Sequence, residues 1–323
     1  MPRLDRRMLL KGSTLALAAH ALRPSSAEAA VPARGQQAAG FYRFKLGTFE
    51  LTAVYDGYWD RPIDGNFVSN VPYAVVKKAL ADAFMVPDTL AMPFVPLLVN
   101  TGTKLVLIDA GTGGQLAPTA GTLVANLLAA GVDPKAIDAI LISNFHPDHI
   151  NGLRGKDNDL VFPNAEILVP QAEWTYWMDD ASANAAPEIF KSYFRNVRRI
   201  FRDLKSVRPF APETEVAPGI TAIAAPGHTP GHCAYAIASG RQSLMALCDT
   251  TNHPWLFARH PDWRPILDMD GALAVKTRKR LLDRVVADRL PITGYHFPFP
   301  GYGHIIKSGS GYEFVPAMWQ TNL

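Results

Sequence analysis

Apolar and polar positions alternate with a period of two over residues 44–55, the pattern of a strand with one buried face. Phe44 and Leu46 share one phase, and Phe49, Leu51, Ala53 and Tyr55 share the other. A bulge or a short turn is therefore expected at Gly47-Thr48. Two further strands, 94–100 and 104–110, are joined at Thr101-Gly102-Thr103, and the second runs into Leu107-Ile108-Asp109-Ala110-Gly111. Residues 119–130 carry Leu123, Leu127 and Leu128 at helical spacing and stop at Gly131. A continuous apolar strand follows at 137–143. Downstream the pattern predicts strands at 166–169, 221–225, 233–238, 243–247 and 292–295, with helices at 171–178, 187–203 and 272–288. Strand pairs alternate with helices and no linker-like stretch intervenes. The expectation is an α/β chain of one domain, two sheets covered by helices.

Residues 1–29 stand apart from that pattern. Arg6-Arg7, a largely small and apolar stretch at 8–22, and Ala27-Glu28-Ala29 read as an export signal of twin-arginine type with an A-x-A cleavage site. A periplasmic or secreted domain spanning 30–323 is expected. The apolar stretch is too short for a membrane span and Lys11 interrupts it. The signal also biases the charge. The chain carries a formal net charge of +3, but removing residues 1–29, with five basic and two acidic side chains, leaves 27 of each sign. No basic run remains, so a nucleic-acid partner is not expected. The 323 residues, 48% of them hydrophobic, leave room for a large core. Two cysteines, Cys233 and Cys248, are too few for a disulfide scaffold.

Histidines gather where strands end. His146-Pro147-Asp148-His149 follows the strand 137–143, and His228 follows 221–225 within Gly227-His228-Thr229-Pro230-Gly231-His232. Asp249 follows 243–247, and His296 closes 292–295. Rigid strands aim side chains, and the loops beyond them leave space for ligands. Imidazole and carboxylate are donors that zinc accepts, and a carboxylate can bridge two ions. Each histidine alone reads as an ordinary capped residue; the set at strand ends reads as a site for hydrolytic metal chemistry. No G-x-S-x-G occurs to support a serine esterase.

The pattern resembles the metallo-β-lactamase superfamily, whose H-x-H-x-D-H motif is followed by a later His, a bridging Asp and a last His. Segments 41–47, 98–102, 162–165, 299–305 and 314–316 resemble the methyl parathion hydrolase group and its relatives that open aryl lactones such as dihydrocoumarin. The resemblance implies an αββα sandwich, two mixed sheets flanked by helices. It implies one metal on His146, His228 and Asp249, with Asn144 at the third imidazole position. A second metal would sit on Asp148, His149, His296 and the shared Asp249. Asn144 is a departure, because an amide oxygen is a poorer zinc ligand than imidazole. One or two divalent ions, zinc above all, are expected, with the Asn144 site weakened.

The implied activity is hydrolysis of lactones or aryl esters by hydroxide generated on the metal, with Asp148 and Asp249 at the catalytic centre and a side activity on phosphotriesters. Two readings compete with it: a non-catalytic metal- or ligand-binding protein that lost the first motif histidine, and a β-lactamase. The expected partner is a small-molecule substrate, and a homodimer is allowed. By the same resemblance Trp177 and Leu116 fall at substrate-pocket positions, and Asp109 and His232 stand behind the ligands as supports. His253, His260 and His304 read as loop or turn residues. Ser239-Gly240-Arg241-Gln242 reads as a hairpin turn that would set Cys233 opposite Cys248 as buried, reduced thiols, since paired residues sit too far apart for a relaxed disulfide.

Overall fold

Gly47 and Thr48 form a two-residue turn between strands β1 (Phe41–Leu46) and β2 (Phe49–Val54), which pair antiparallel with Leu46 opposite Phe49. Gly47 has φ +59°, and a Cβ there would collide with the Ser239 carbonyl, so the position requires glycine on both counts. The phase slip in the sequence is this turn. The structure is a computed structural model that describes residues 34, 35 and 37–323. The export-signal reading of residues 1–29 lies outside the described residues. Residues 39–323 form one unit.

The next strands make a separate two-stranded hairpin, β3 (Gly57–Pro62) with β4 (Thr89–Phe94), and helix α1 (Tyr73–Asp82) lies between them in the chain. The apolar run expected as one strand at 94–100 is therefore broken. Phe94 closes β4, and β5 (Leu97–Asn100) starts beyond Pro96. Pro96 has no N–H to donate to a ladder, and the Val95 N–H is turned away to the Tyr295 carbonyl, 2.9 Å. The chain continues through β6 (Leu105–Ile108), α2 (Leu123–Ala129), β7 (Ala139–Leu141), the one-turn α3 (Pro147–Ile150) and β8 (Glu166–Pro170). Helices α4 (Gln171–Met178), α5 (Asp180–Ala185) and α6 (Glu188–Phe201) precede β9 (Val207–Phe210). Strands β10 (Glu215–Ala217), β11 (Ile220–Ala224), β12 (Cys233–Ser239) and β13 (Gln242–Ala246) follow. Last come α7 (Gly271–Ala287), β14 (Pro291–Thr293), β15 (Tyr302–Ser308) and β16 (Gly311–Pro316).

One seven-stranded sheet has the order β1-β2-β5-β6-β7-β8-β9 and the other runs β10 to β16 in sequence order. Both are mixed. The first changes from antiparallel to parallel pairing at β6–β7, and the second has one parallel pair, β13–β14. Leu51, Val99, Ile108 and Leu141 of the first sheet meet Ile220, Tyr235, Ile237 and Leu244 of the second in the central layer. The outer face of the first sheet packs Ile140, Ile167 and Val169 under Leu127 of α2 and Phe194, Val197 and Ile200 of α6. The outer face of the second packs Ile223, Met245 and Ile292 under Leu281, Leu282 and Val285 of α7. This is the αββα sandwich, with two mixed sheets flanked by helices. A smaller apolar cluster joins α1 to the hairpin through Val76, Leu80, Leu90 and Met92.

The hairpin Ser239-Gly240-Arg241-Gln242 has the predicted register, with Ser239 opposite Gln242 and Tyr235 opposite Ala246. The ladder ends there. The Leu247 N–H donates to Thr293 of β14, the Cys233 N–H donates to Ser143, and Cys248 leaves extended geometry with φ +47°. Cys233 and Cys248 are buried, free thiols, as expected, but they are not a cross-strand pair.

Candidate metal centre

Four loops at strand ends meet at one place. His146 precedes the single turn of α3, in which Pro147 takes a first-turn position that needs no N–H and Asp148 and His149 follow. His228 lies in the turn after β11, where Gly227 (φ +124°) packs so tightly on Ala274 of α7 that a side chain would not fit. Asp249 lies in a tight turn after β13, and His296 follows β14.

Two donor groups result: Asp148, His149, Asp249 and His296, and separately His146, His228 and Asp249, each with its donor atoms within 4.8 Å of one another. His149 Nε2 lies 3.3 Å from Asp148 Oδ2 and 3.3 Å from Asp249 Oδ2. His296 Nε2 lies 3.4 Å from Asp148 Oδ2 and 3.3 Å from Asp249 Oδ1. A tetrahedral ion with bonds of about 2.0–2.1 Å has donor–donor edges of roughly 3.3 Å. His228 Nε2 approaches Asp249 Oδ2 more closely, at 2.8 Å. The Nε2 atoms of His146 and His149 and the Oδ1 of Asp249 are buried without a hydrogen-bond partner. Buried polar atoms are rarely left so, and a divalent cation satisfies all of them. The donor set fits zinc.

The opposite edges of the rings are held. His149 Nδ1 meets Asp109 Oδ2 at 2.9 Å, His228 Nδ1 meets Asp268 Oδ1 at 2.9 Å, and His296 Nδ1 meets the Pro93 carbonyl at 2.9 Å. Such contacts fix the tautomer so that Nε2 faces an ion. Asp109, fully buried at φ +61°, also accepts the N–H (2.7 Å) and hydroxyl (2.8 Å) of Ser143. Asp268 in turn is paired at 2.9 Å with the fully buried Arg278. His232 donates from Nδ1 to the Ala225 carbonyl (2.8 Å) and accepts the Asp249 N–H at Nε2 (3.1 Å), so it braces the shared carboxylate.

Charges in the cluster are strongly coupled. Burial alone would raise the Asp148 carboxyl, but His149 and His296 bring it down to about 2. Burial opposes protonation of His228, yet Asp249 and Asp268 raise it to about 9. Burial pushes His232 down to about 4, assisted by His228.

Asn144, expected to complete the His146 set, instead braces the loop. Its Oδ1 accepts the His146 N–H (2.9 Å) and its Nδ2 donates to Ser143 Oγ (3.2 Å). Trp177, expected at the substrate pocket, is fully buried and does not line the cavity over the cluster. Its indole packs on Phe194 in the helix layer, and its Nε1 donates to Glu173 (2.9 Å). Leu116 does line that cavity, with Trp59, Arg61, Met92, Tyr193 and Leu267. The cavity has a volume of about 30 Å³, room for little more than a water.

His253, read from the sequence as a loop residue, is buried in the wall of a second cavity of about 360 Å³. His260 stacks on Trp263, with ring centroids 4.1 Å apart, and His304 is exposed on β15, opposite Pro291. Sequence reasoning missed Arg61, Tyr193, Asn252, Asp268 and Glu173. Only Arg61, a charge in an aromatic stretch, carried any local signal.

A metallo-beta-lactamase superfamily model matches residues 96–291, and the chain belongs to that superfamily. It is a metal-dependent hydrolase close to N-acyl homoserine lactonases. The N-acyl homoserine lactonase of Bacillus cereus is 25% identical over 231 residues, 68% of this chain and 81% of that protein. Among solved structures, AidC, a dizinc quorum-quenching lactonase in complex with a product, N-hexanoyl-L-homoserine, is 30% identical with TM-score 0.82, covering 87% of this chain and 99% of that one. The hydrolase AbOPH in the beta-lactamase superfamily is 26% identical with TM-score 0.81, covering 88% and 100%.

Proposed function

We propose that the protein opens lactones, with N-acyl homoserine lactones and aryl lactones such as dihydrocoumarin as its substrate class, and that aryl esters and phosphotriesters are slower substrates of the same centre. The observation that carries this reading is the set of orphaned His and Asp donors at a cavity that Arg61 and Tyr193 also line. Asp148, His149, Asp249 and His296 would hold one divalent ion, and His146, His228 and Asp249 a weaker second. Ions there supply Lewis-acid polarisation of a carbonyl or phosphoryl oxygen and bring the pKa of water towards neutrality.

The chain's own groups do the rest. Asp148, ionised at neutral pH, orients water by accepting a hydrogen bond from it. Burial and the neighbouring Asp148 raise the Tyr193 phenol, which therefore keeps its proton and donates a hydrogen bond to a substrate oxygen. Arg61 lies within electrostatic reach of both Asp148 and Tyr193 and offers its charge to the carboxylate that ring opening creates. No serine nucleophile is used. The N-terminal twin arginine supports export, which cell fractionation tests. Function is tested by following proton release from N-hexanoyl homoserine lactone and dihydrocoumarin with zinc-loaded protein. Turnover of either is the expected result; none with both ions bound overturns the reading.

A further inference from the structure

Glu173, in the first turn of α4, is fully buried and touches no donor of the metal centre directly. Its Oε2 accepts the Phe145 N–H (2.9 Å) and the Trp177 indole N–H (2.9 Å), and its Oε1 accepts the Gly231 N–H (2.7 Å). Phe145 adjoins His146 in a loop of the first sheet. Gly231 lies in the His228–His232 turn of the second. One carboxylate thus ties together the two loops that carry His146 and His228. The fit is close: a Cβ on Gly231 would collide with the backbone of Ala172 and Glu173. Three N–H donors converge on the two oxygens of one carboxyl group and oppose the rise in pKa that burial causes, an arrangement that a Gln amide, with a single acceptor oxygen, cannot reproduce.

The His146 set is also the one with three donors where the other has four. Asn144 uses its oxygen on the His146 N–H while Glu173 holds the preceding N–H, so consecutive amides of this loop are both fixed by side chains. We propose that Glu173 is the positioning residue of the His146/His228/Asp249 set. It sets the spacing of its two imidazoles across the sheets, and it does not serve the Asp148/His149/Asp249/His296 set. The inference rests on the metal-centre reading above, and its test reads metal rather than turnover.

Zinc binding to the full chain is measured by competition with a chromophoric chelator, for wild type and Glu173→Gln. The expected result is an unchanged affinity for the tighter ion and a loss of about 10- to 100-fold for the weaker one. A shift in Trp177 emission is expected with it, as the indole N–H loses an ionised partner. Equal losses at both ions, or no loss at either, overturn the proposal. Val285→Ala, in the packing between α7 and the second sheet, destabilises the fold without touching the clamp. A selective loss of the weaker ion there as large as in Glu173→Gln also overturns it. If Glu173→Gln does not fold, Gly231→Ala pushes the His228–His232 turn off Glu173 and is expected to show the same selective loss; normal affinities in it refute the clamp. A wild-type protein that binds two ions and opens no lactone defeats the functional reading and leaves this one standing.

Discussion

His232 accepts the backbone N–H of Asp249 at 3.1 Å, so the carboxylate shared by both donor groups is fixed through its own main chain by an imidazole that belongs to neither group. That role requires a neutral ring, and burial supplies one by lowering the pKa to about 4. A histidine with a lowered folded-state pKa adds stability that is complete above about 6.5 and is lost as pH falls through about 4. The shift corresponds to about 3 kcal/mol. Denaturant unfolding of metal-free protein and of His232→Gln should show wild type losing about that much more stability between pH 7 and 4. Parallel pH profiles for the two proteins would exclude the role.

The two donor groups should fill in order. The Asp148/His149/Asp249/His296 group has four donors and the His146/His228/Asp249 group has three. Zinc titration should resolve a tight and a weaker event, and Asn144→His should tighten the weaker despite costing the His146 N–H its acceptor. Two equally tight sites in the unmodified protein would contradict this.

Metal uptake should release protons. In the metal-free cluster His228 is held protonated up to about 9 by Asp249 and Asp268, whereas an ion demands the neutral ring. Apparent affinity should therefore rise as pH increases from about 6.5 towards 9, by up to tenfold per unit for each proton displaced. Calorimetry in buffers of different ionisation enthalpy measures the proton count directly; a count of zero at pH 7.5 would exclude the linkage.

Tyr193→Phe should lower kcat on a lactone by about 100-fold with metal content unchanged, because it removes one donor aimed at developing charge. A variant with full kcat would remove Tyr193 from the mechanism.

The cysteines give the simplest check. Burial raises both thiols, so native protein should react slowly with a thiol reagent. Denatured, non-reduced protein should yield two free thiols; none would mean that they pair.

The ligands were legible because each follows an apolar run that ends in a strand, and most strands of both sheets and helices α2, α4, α6 and α7 were legible for the same reason. Strands β9, β10, β15 and β16, helix α1 and the β3–β4 hairpin were not. One face of the hairpin, Trp59, Arg61, Met92 and Phe94, lines the metal cavity, and the other, Tyr58, Ala91 and Pro93, lines the second cavity. Burial alternates along β4, but its more exposed positions include Ala91 and Pro93, so the sequence carries no apolar–polar alternation there. Glu173 looked like any acid in a helix's first turn. Trp177 was misplaced because an aromatic on a helix does not reveal which neighbour covers it. The thiol pairing failed because the β12–β13 ladder ends at Tyr235–Ala246, two residues short of the cysteines, and Cys248 then turns to φ +47°.

That same hairpin makes substrate preference separable from the rest of the molecule. Its two faces take alternate residues of the same two strands, so a change at Trp59, Arg61 or Met92 alters what reaches the donors, while Tyr58, Ala91 and Pro93 keep the reverse face intact. Variation can be absorbed one side chain at a time on a panel that belongs to neither sheet of the sandwich. Inserting or deleting a single residue in either strand has the opposite effect, because it exchanges the two faces along that strand, and ahead of Arg61 in β3 it takes that cation out of the metal cavity's lining.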